Sequence, residues 1–123
     1  MLREKYSIEC IISPYEADAQ LAYLSKINYV DVIITEDSDL LAFGAKRVFY
    51  KMDHNGNGSE ILREDYKNSK ELKMYDWDDN MFLTACIMSG CDYLPSIKGI
   101  GMKTAYKLIS EYRNYRKVTT RLL

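Results

Sequence analysis

Two pairs of acids, each with one residue between its members, carry the most chemistry in this sequence: Glu16-x-Asp18 and Asp37-x-Asp39. On a helix, residues two apart point to nearly opposite sides, whereas in extended or turning chain they point the same way. Each doublet must therefore sit at an element boundary if its carboxylates are to act together. Four carboxylates in one crevice repel one another unless a cation lies among them, and hard oxygen ligands suit Mg²⁺ or Mn²⁺ rather than zinc. Two such ions, about 3.5–4 Å apart, activate a water and stabilise the leaving oxygen in phosphodiester hydrolysis. A single doublet reads more simply as helix capping, because acids near a helix N-terminus interact well with its dipole. Two doublets at equivalent places leave both readings standing.

A second feature lies near the C-terminus. In Ile97-Lys98-Gly99-Ile100-Gly101-Met102-Lys103, two glycines flank one apolar residue at the entrance to an amphipathic helix. Glycine lets a backbone turn tightly and approach a ligand closely. Ile100 would anchor the turn while N–H groups at the helix start face a phosphate, with Lys98, Lys103 and Lys107 adding salt-sensitive attraction. A GxG pair alone is often only a helix-entry turn, but here the charge is lopsided. Residues 97–123 hold seven basic residues against the single acid Glu111, a balance of +6. Residues 1–96 carry −7, so the formal net charge of −1 averages two unlike parts. An acidic region beside a basic tail points to cations and a polyanion. Asp92 reads on its own as an ordinary turn residue, and His54, set among Asn and Gly, reads as a solvated loop residue. Tyr112 and Tyr115 lie in the basic tail, where they could touch nucleic acid, although tyrosines on such a helix more often cover its apolar face.

The elements that must position these groups follow from periodicity. Ser7–Ser13 is β-rich and ends at Pro14, and Glu16–Ile27 has helical spacing of Ala17, Leu21 and Leu24. Val30–Thr35 is a second strand, followed by the acidic loop and a short helix, Leu40–Phe43, closing at Gly44. This predicts a βαβ unit with parallel strands, each doublet at the carboxyl end of a strand, where sites form in open α/β sheets. Lys46–Met52 is a third strand that enters a hairpin through the turn at 53–58. Residues 65–74 are ambiguous, Trp77–Ser89 is a buried helix stopping at Gly90, and Met102–Tyr112 is a further helix, with another beginning after it. The expected organisation is an α/β core over residues 1–90 and a helical DNA-binding segment over 91–123.

Composition narrows the class. The 123 residues, 47% hydrophobic and 28% charged, suffice for one domain. No apolar run approaches the ~20 residues of a membrane span, and no signal-peptide pattern follows Met1, so the expectation is a soluble, intracellular protein with no membrane partner. Cys10, Cys86 and Cys91 form no CxxC pair, against a disulfide framework or a zinc ribbon.

Four stretches, in order, carry a resemblance: PYEADAQLAYL (14–24), TEDSDLLAFG (35–44), SGCDYL (89–94) and GIG (99–101). Together they resemble the internal region of the flap-endonuclease (XPG-type) superfamily, and the wording of the first two, with Lys51-Met52-Asp53 and Gly56-Asn57-Gly58, is most like its eukaryotic exonuclease I group. The resemblance implies a PIN-like, mostly parallel sheet flanked by helices, with a C-terminal helix-two-turn-helix element that grips duplex DNA. It implies that Glu16, Asp18, Asp37, Asp39 and Asp92 are metal-binding catalytic acids acting through two Mg²⁺ ions, for which Mn²⁺ can substitute. A K⁺ ion at the hairpin would be held at Ser89, Ser96 and Ile100. The implied activity is 5′-to-3′ hydrolysis of duplex DNA with 5′ ends, flaps or gaps, in the nucleus. Family members precede this region with a segment bearing further metal acids and a basic arch; without it, the chain is expected to be weakly active at most. Flap or Holliday-junction cleavage is the rival within the superfamily, and a non-catalytic DNA-binding module the rival outside it.

Overall fold

The computed structural model describes residues 2–122, with the side chains of Leu2, Arg3, Tyr115, Thr119, Arg121 and Leu122 outside the described residues, so the readings of Tyr115 and Arg121 in the basic tail lie outside them. The chain divides into two compact units, one running to Ile61 and one beginning at Leu62.

In the first unit, a short helix α1 (Leu2–Tyr6) leads into Ser7–Ser13, which forms no strand. That corrects the expected first strand. A strand is stabilised by a paired strand and a covered face; among the described residues this stretch pairs with no strand, and Ile12 is 94% exposed. Helix α2 (Ala17–Lys26) follows, burying Ala22, Leu24 and Ser25. The Ser25 hydroxyl accepts the Lys46 N–H at 3.0 Å, which satisfies a buried polar group and ties α2 to the approach of the second strand. Strand β1 is only Ile33–Ile34; helix α3 (Asp39–Phe43) ends at Gly44, and β2 (Arg47–Tyr50) returns parallel to β1, with Ile33 opposite Val48 and Ile34 opposite Phe49. The parallel pair is thus β1 and β2 joined by α3, one element later than periodicity predicted. Strand β3 (Ser59–Leu62) lies on the other side of β2, giving the order β1-β2-β3. The small core is Ala22, Ile33, Leu40, Ala45 and Val48, with Leu21, Val30, Leu41, Phe43 and Tyr50 packed around it.

The second unit is helical. Helix α4 (Arg63–Asn68) occupies part of the stretch that periodicity left open; Tyr66 is its buried residue. Helix α5 (Asp79–Ser89) starts at Asp78, whose Oδ1 accepts the Met81 N–H at 2.7 Å in a true N-cap. Helices α6 (Met102–Tyr112) and α7 (Tyr115–Leu122) complete it. Its core gathers Tyr66, Met74, Trp77, Met81, Ala85, Met88, Ile100, Ala105, Ile109 and Val118, with the Trp77 and Tyr106 rings stacked 5.1 Å apart. No helix of the described residues is long and apolar enough to cross a membrane.

Candidate carboxylate and phosphate sites

The second doublet sits where the parallel pair ends. The Thr35 N–H donates to the Phe49 carbonyl at 3.1 Å, carrying the ladder one step past Ile34. Beyond it the loop folds on its own side chains: the Asp37 N–H donates to Thr35 Oγ1 at 3.0 Å, and the Asp39 N–H donates to Asp37 Oδ1 at 2.8 Å. One oxygen of Asp37 is thereby committed to the turn, while Asp39 begins α3, half-buried. Glu36, between them in sequence, accepts the Lys51 N–H at 2.9 Å across the strand ends. At the end of β2, the Tyr50 hydroxyl is buried without a hydrogen bond, and its pKa is pushed up by burial first, then by the charges of Asp37 and Asp39.

The first doublet is placed differently. Glu16 is the N-cap residue of α2 with extended backbone (φ −81°, ψ 135°), yet its carboxylate makes no capping hydrogen bond; Asp18 lies in the first turn, half-buried. Glu16 therefore does not act as a side-chain cap, although both acids interact favourably with the helix dipole. Among the described residues, no three His, Cys, Asp or Glu side chains form a group that could hold a metal ion. The structure brings Asp37 and Asp39 together and does not join Glu16 and Asp18 to them in such a group. The physical reason is the irregular Ser7–Ser13, which provides no strand end from which the first doublet could be aimed. The oxygen-only donors fit a hard divalent cation in kind.

In the second unit, Ser89–Ser96 line an open cleft of about 540 Å³. Gly90 has φ +109°, and a Cβ there would lie 2.9 Å from that of Ser96, so only glycine lets the two segments meet. Asp92 is exposed on this loop, whose Cys91 and Leu94 pair in an isolated bridge. Ser89 Oγ donates to the Cys86 carbonyl at 2.7 Å, and Ser89 and Ser96 line the same cleft. Ile100 closes the following turn, its N–H donating to the Ile97 carbonyl at 2.9 Å, and its side chain is buried in the core. Gly99 has φ +82°; Gly101 is the N-cap of α6 in extended backbone, and a Cβ at Gly101 would meet nothing within 4 Å. Lys98, Lys103 and Lys107 are exposed. The Thr104 N–H donates to the Gly101 carbonyl at 3.0 Å, and no side chain caps the helix start, so this entrance combines the N-terminal end of a helix, open space and three cations.

Sequence reading overlooked Thr35, Glu36 and Tyr50. The first two are visible once the parallel register is known, since both stand beside the end of β2. Tyr50, one of 11 tyrosines, has no distinguishing signal in the sequence.

The XPG I-region profile matches residues 7–92. The chain belongs to the XPG I-region family. Within it, this XPG I-region chain is 50% identical to Exonuclease 1 of Xenopus laevis over 107 residues, 87% of this chain and 14% of that protein. Its fold is that of the catalytic core of Rad2 in complex with a DNA substrate, at a TM-score of 0.77 and 33% identity over 94% of this chain and 38% of that one. It also superposes on the eukaryotic junction-resolving enzyme GEN-1 binding with potassium, at 0.68 and 25% identity over 89% of this chain and 30% of the other. The chain therefore spans about a seventh of the Xenopus protein and carries an α/β nuclease-core fold.

Proposed function

We propose that this chain is the internal part of a metal-dependent nuclease that hydrolyses phosphodiester bonds of duplex DNA from 5′ ends, in nuclear DNA repair. The observation that carries the reading is the Asp37–Asp39 pair at the carboxyl end of the parallel strands β1 and β2, in a chain of the XPG I-region family whose curated relative is an Exonuclease 1. Glu16, Asp18, Asp37, Asp39 and Asp92 are the carboxylates we assign to the metal; the hydrogen bond between Asp37 and Asp39 supports treating those two as a pair. A bound divalent ion supplies charge stabilisation to the scissile phosphate and lowers the pKa of its water. The hairpin residues Lys98, Gly99, Ile100, Gly101, Lys103 and Lys107 are assigned to the DNA backbone, without reading base sequence. Ser89, Ser96 and Ile100 are assigned to K⁺; the shared cleft of the two serines supports this, as does the GEN-1 likeness.

The test is cleavage of 5′-labelled recessed, flap and Holliday-junction DNA by the full-length protein and by Asp39→Ala. Loss of about a hundred- to a thousandfold in rate with Asp39→Ala is expected, with recessed ends cut fastest. Cleavage confined to flaps or junctions would favour the endonuclease reading, and cleavage indifferent to Asp39 would remove the assignment. DNA binding is tested separately by anisotropy with Gly101→Val. A Cβ at that position meets nothing within 4 Å, so weakened binding at unchanged stability marks a close backbone approach, whereas unchanged binding would leave the hairpin as a helix-entry turn.

A further inference from the structure

The register of the parallel pair exposes a substitution in the hydrogen-bond ladder. With Ile34 opposite Phe49, Thr35 stands opposite Tyr50, and its N–H donates to the Phe49 carbonyl at 3.1 Å. A parallel ladder would next send the Lys51 N–H to the Thr35 carbonyl. Lys51 instead has φ +54°, a left-handed conformation unusual for lysine, and its N–H is accepted by Glu36 Oε1 at 2.9 Å. A side-chain carboxylate has taken the next rung. The consequence is local: the backbone of β1 is released from the sheet at Thr35 and can turn at once into the loop that carries Asp37 and Asp39. Within that loop, the Asp37 N–H donates to Thr35 Oγ1 and the Asp39 N–H to Asp37 Oδ1. The Glu36 bond adds a tie to β2 one rung beyond the bond from the Thr35 N–H to the Phe49 carbonyl.

We propose that Glu36 is a positioning residue: by accepting the Lys51 N–H, it fixes the Thr35–Asp39 loop against the end of β2 and so presents Asp37 and Asp39 as a pair. This rests on the metal reading given under the proposed function. Glu36 is exposed and not needed for the core, so its replacement leaves the fold intact while freeing the loop. A charge-assisted hydrogen bond is stronger than a neutral one, but the glutamine amide oxygen can still accept, so the role belongs to the acceptor rather than to the charge.

The experiment uses the 123-residue chain and Mn²⁺ alone as the probe, with amide hydrogen exchange read at Lys51 and Mn²⁺ affinity read by calorimetry. Glu36→Ala should accelerate Lys51 exchange about ten- to a hundredfold and weaken Mn²⁺ binding about tenfold. Glu36→Gln should keep most of both. Loss of Lys51 protection with unchanged Mn²⁺ affinity would make Glu36 merely structural and overturn the proposal. Equal loss of affinity in Gln and Ala, with Lys51 still protected in Gln, would make it a charged ligand and overturn it too. Binding indifferent to both Asp37→Ala and Asp39→Ala would sink the metal reading, and this inference with it, an outcome distinguishable because it does not involve Glu36.

Discussion

The two units solve the same problem with unequal means. The second, from Leu62 onward, buries an indole, two rings in contact, three methionines and the aliphatic face of α6 in one cluster. The first, ending at Ile61, closes a core of small and medium side chains, while Ile8, Ile11 and Ile12, with Tyr15, stay largely exposed. Helices satisfy their own backbone and need neighbours only for one face; strands need neighbours for both. The helical unit gathers its larger core around one ring cluster, and the sheet unit leaves Ile12 and Tyr15 almost fully exposed. Glu16, Asp18, Asp37 and Asp39 belong to the first unit, and Asp92 and the basic hairpin to the second.

The largest expected effect asks whether the units are energetically separate. Trp77→Ala empties the middle of the second core and should cost about 3–5 kcal/mol, read by denaturant titration. Segment-resolved hydrogen exchange should then lose protection from Leu62 onward while residues up to Ile61 keep theirs. Equal loss in both would break the comparison and make them one cooperative block.

A smaller effect sharpens the contrast within the second unit, between two glycines near the cleft. Gly90→Ala meets both an unfavourable φ of +109° and the Ser96 Cβ at 2.9 Å, and should destabilise by about 1–3 kcal/mol. Gly101→Ala, in extended backbone with open space around it, should change thermal stability by less than about 1 kcal/mol. Equal costs would mean that the Gly90 contact relaxes freely.

The smallest effect is electrostatic. A hydrogen bond from Arg63 holds the Asp79 carboxyl below its usual value of 3.8, with burial opposing and the Arg63 and Lys67 charges assisting. A carboxyl lowered in the folded state contributes stability above the unfolded pKa, and loses it as pH falls through the folded one. Asp79→Asn should therefore flatten the loss of stability below about pH 4, modestly, because the carboxylate is exposed and screened by salt. An unchanged acid profile would show that the ion pair contributes nothing measurable.

What the sequence made legible was local. The bounds of α6 follow from Gly101 at its start and helical spacing of Ala105 and Ile109, both buried as periodicity requires. The stop of α5 at Gly90 and the end of α3 at Gly44 were readable for the same reason. Ser7–Ser13 has the composition of a strand, but strand formation depends on a partner elsewhere in the chain, which composition does not reveal. The same non-locality hid Glu36 and Tyr50, whose surroundings exist only once β1 and β2 are in register. Both acidic doublets were visible from spacing; that only one is gathered at a strand end was not.

The second core places Met74, Met81 and Met88 beside one another's neighbours, each at most 8% exposed. A thioether packs there as an apolar group, but its sulfoxide is polar and cannot return to the same space without loss. Burial slows oxidation while the unit stays closed; each opening exposes the sulfurs further and risks an oxygen that prevents full reclosure. Oxidation thus turns a reversible fluctuation into a lasting mark, and the extent of sulfoxide formation records how often this half of the protein has come apart.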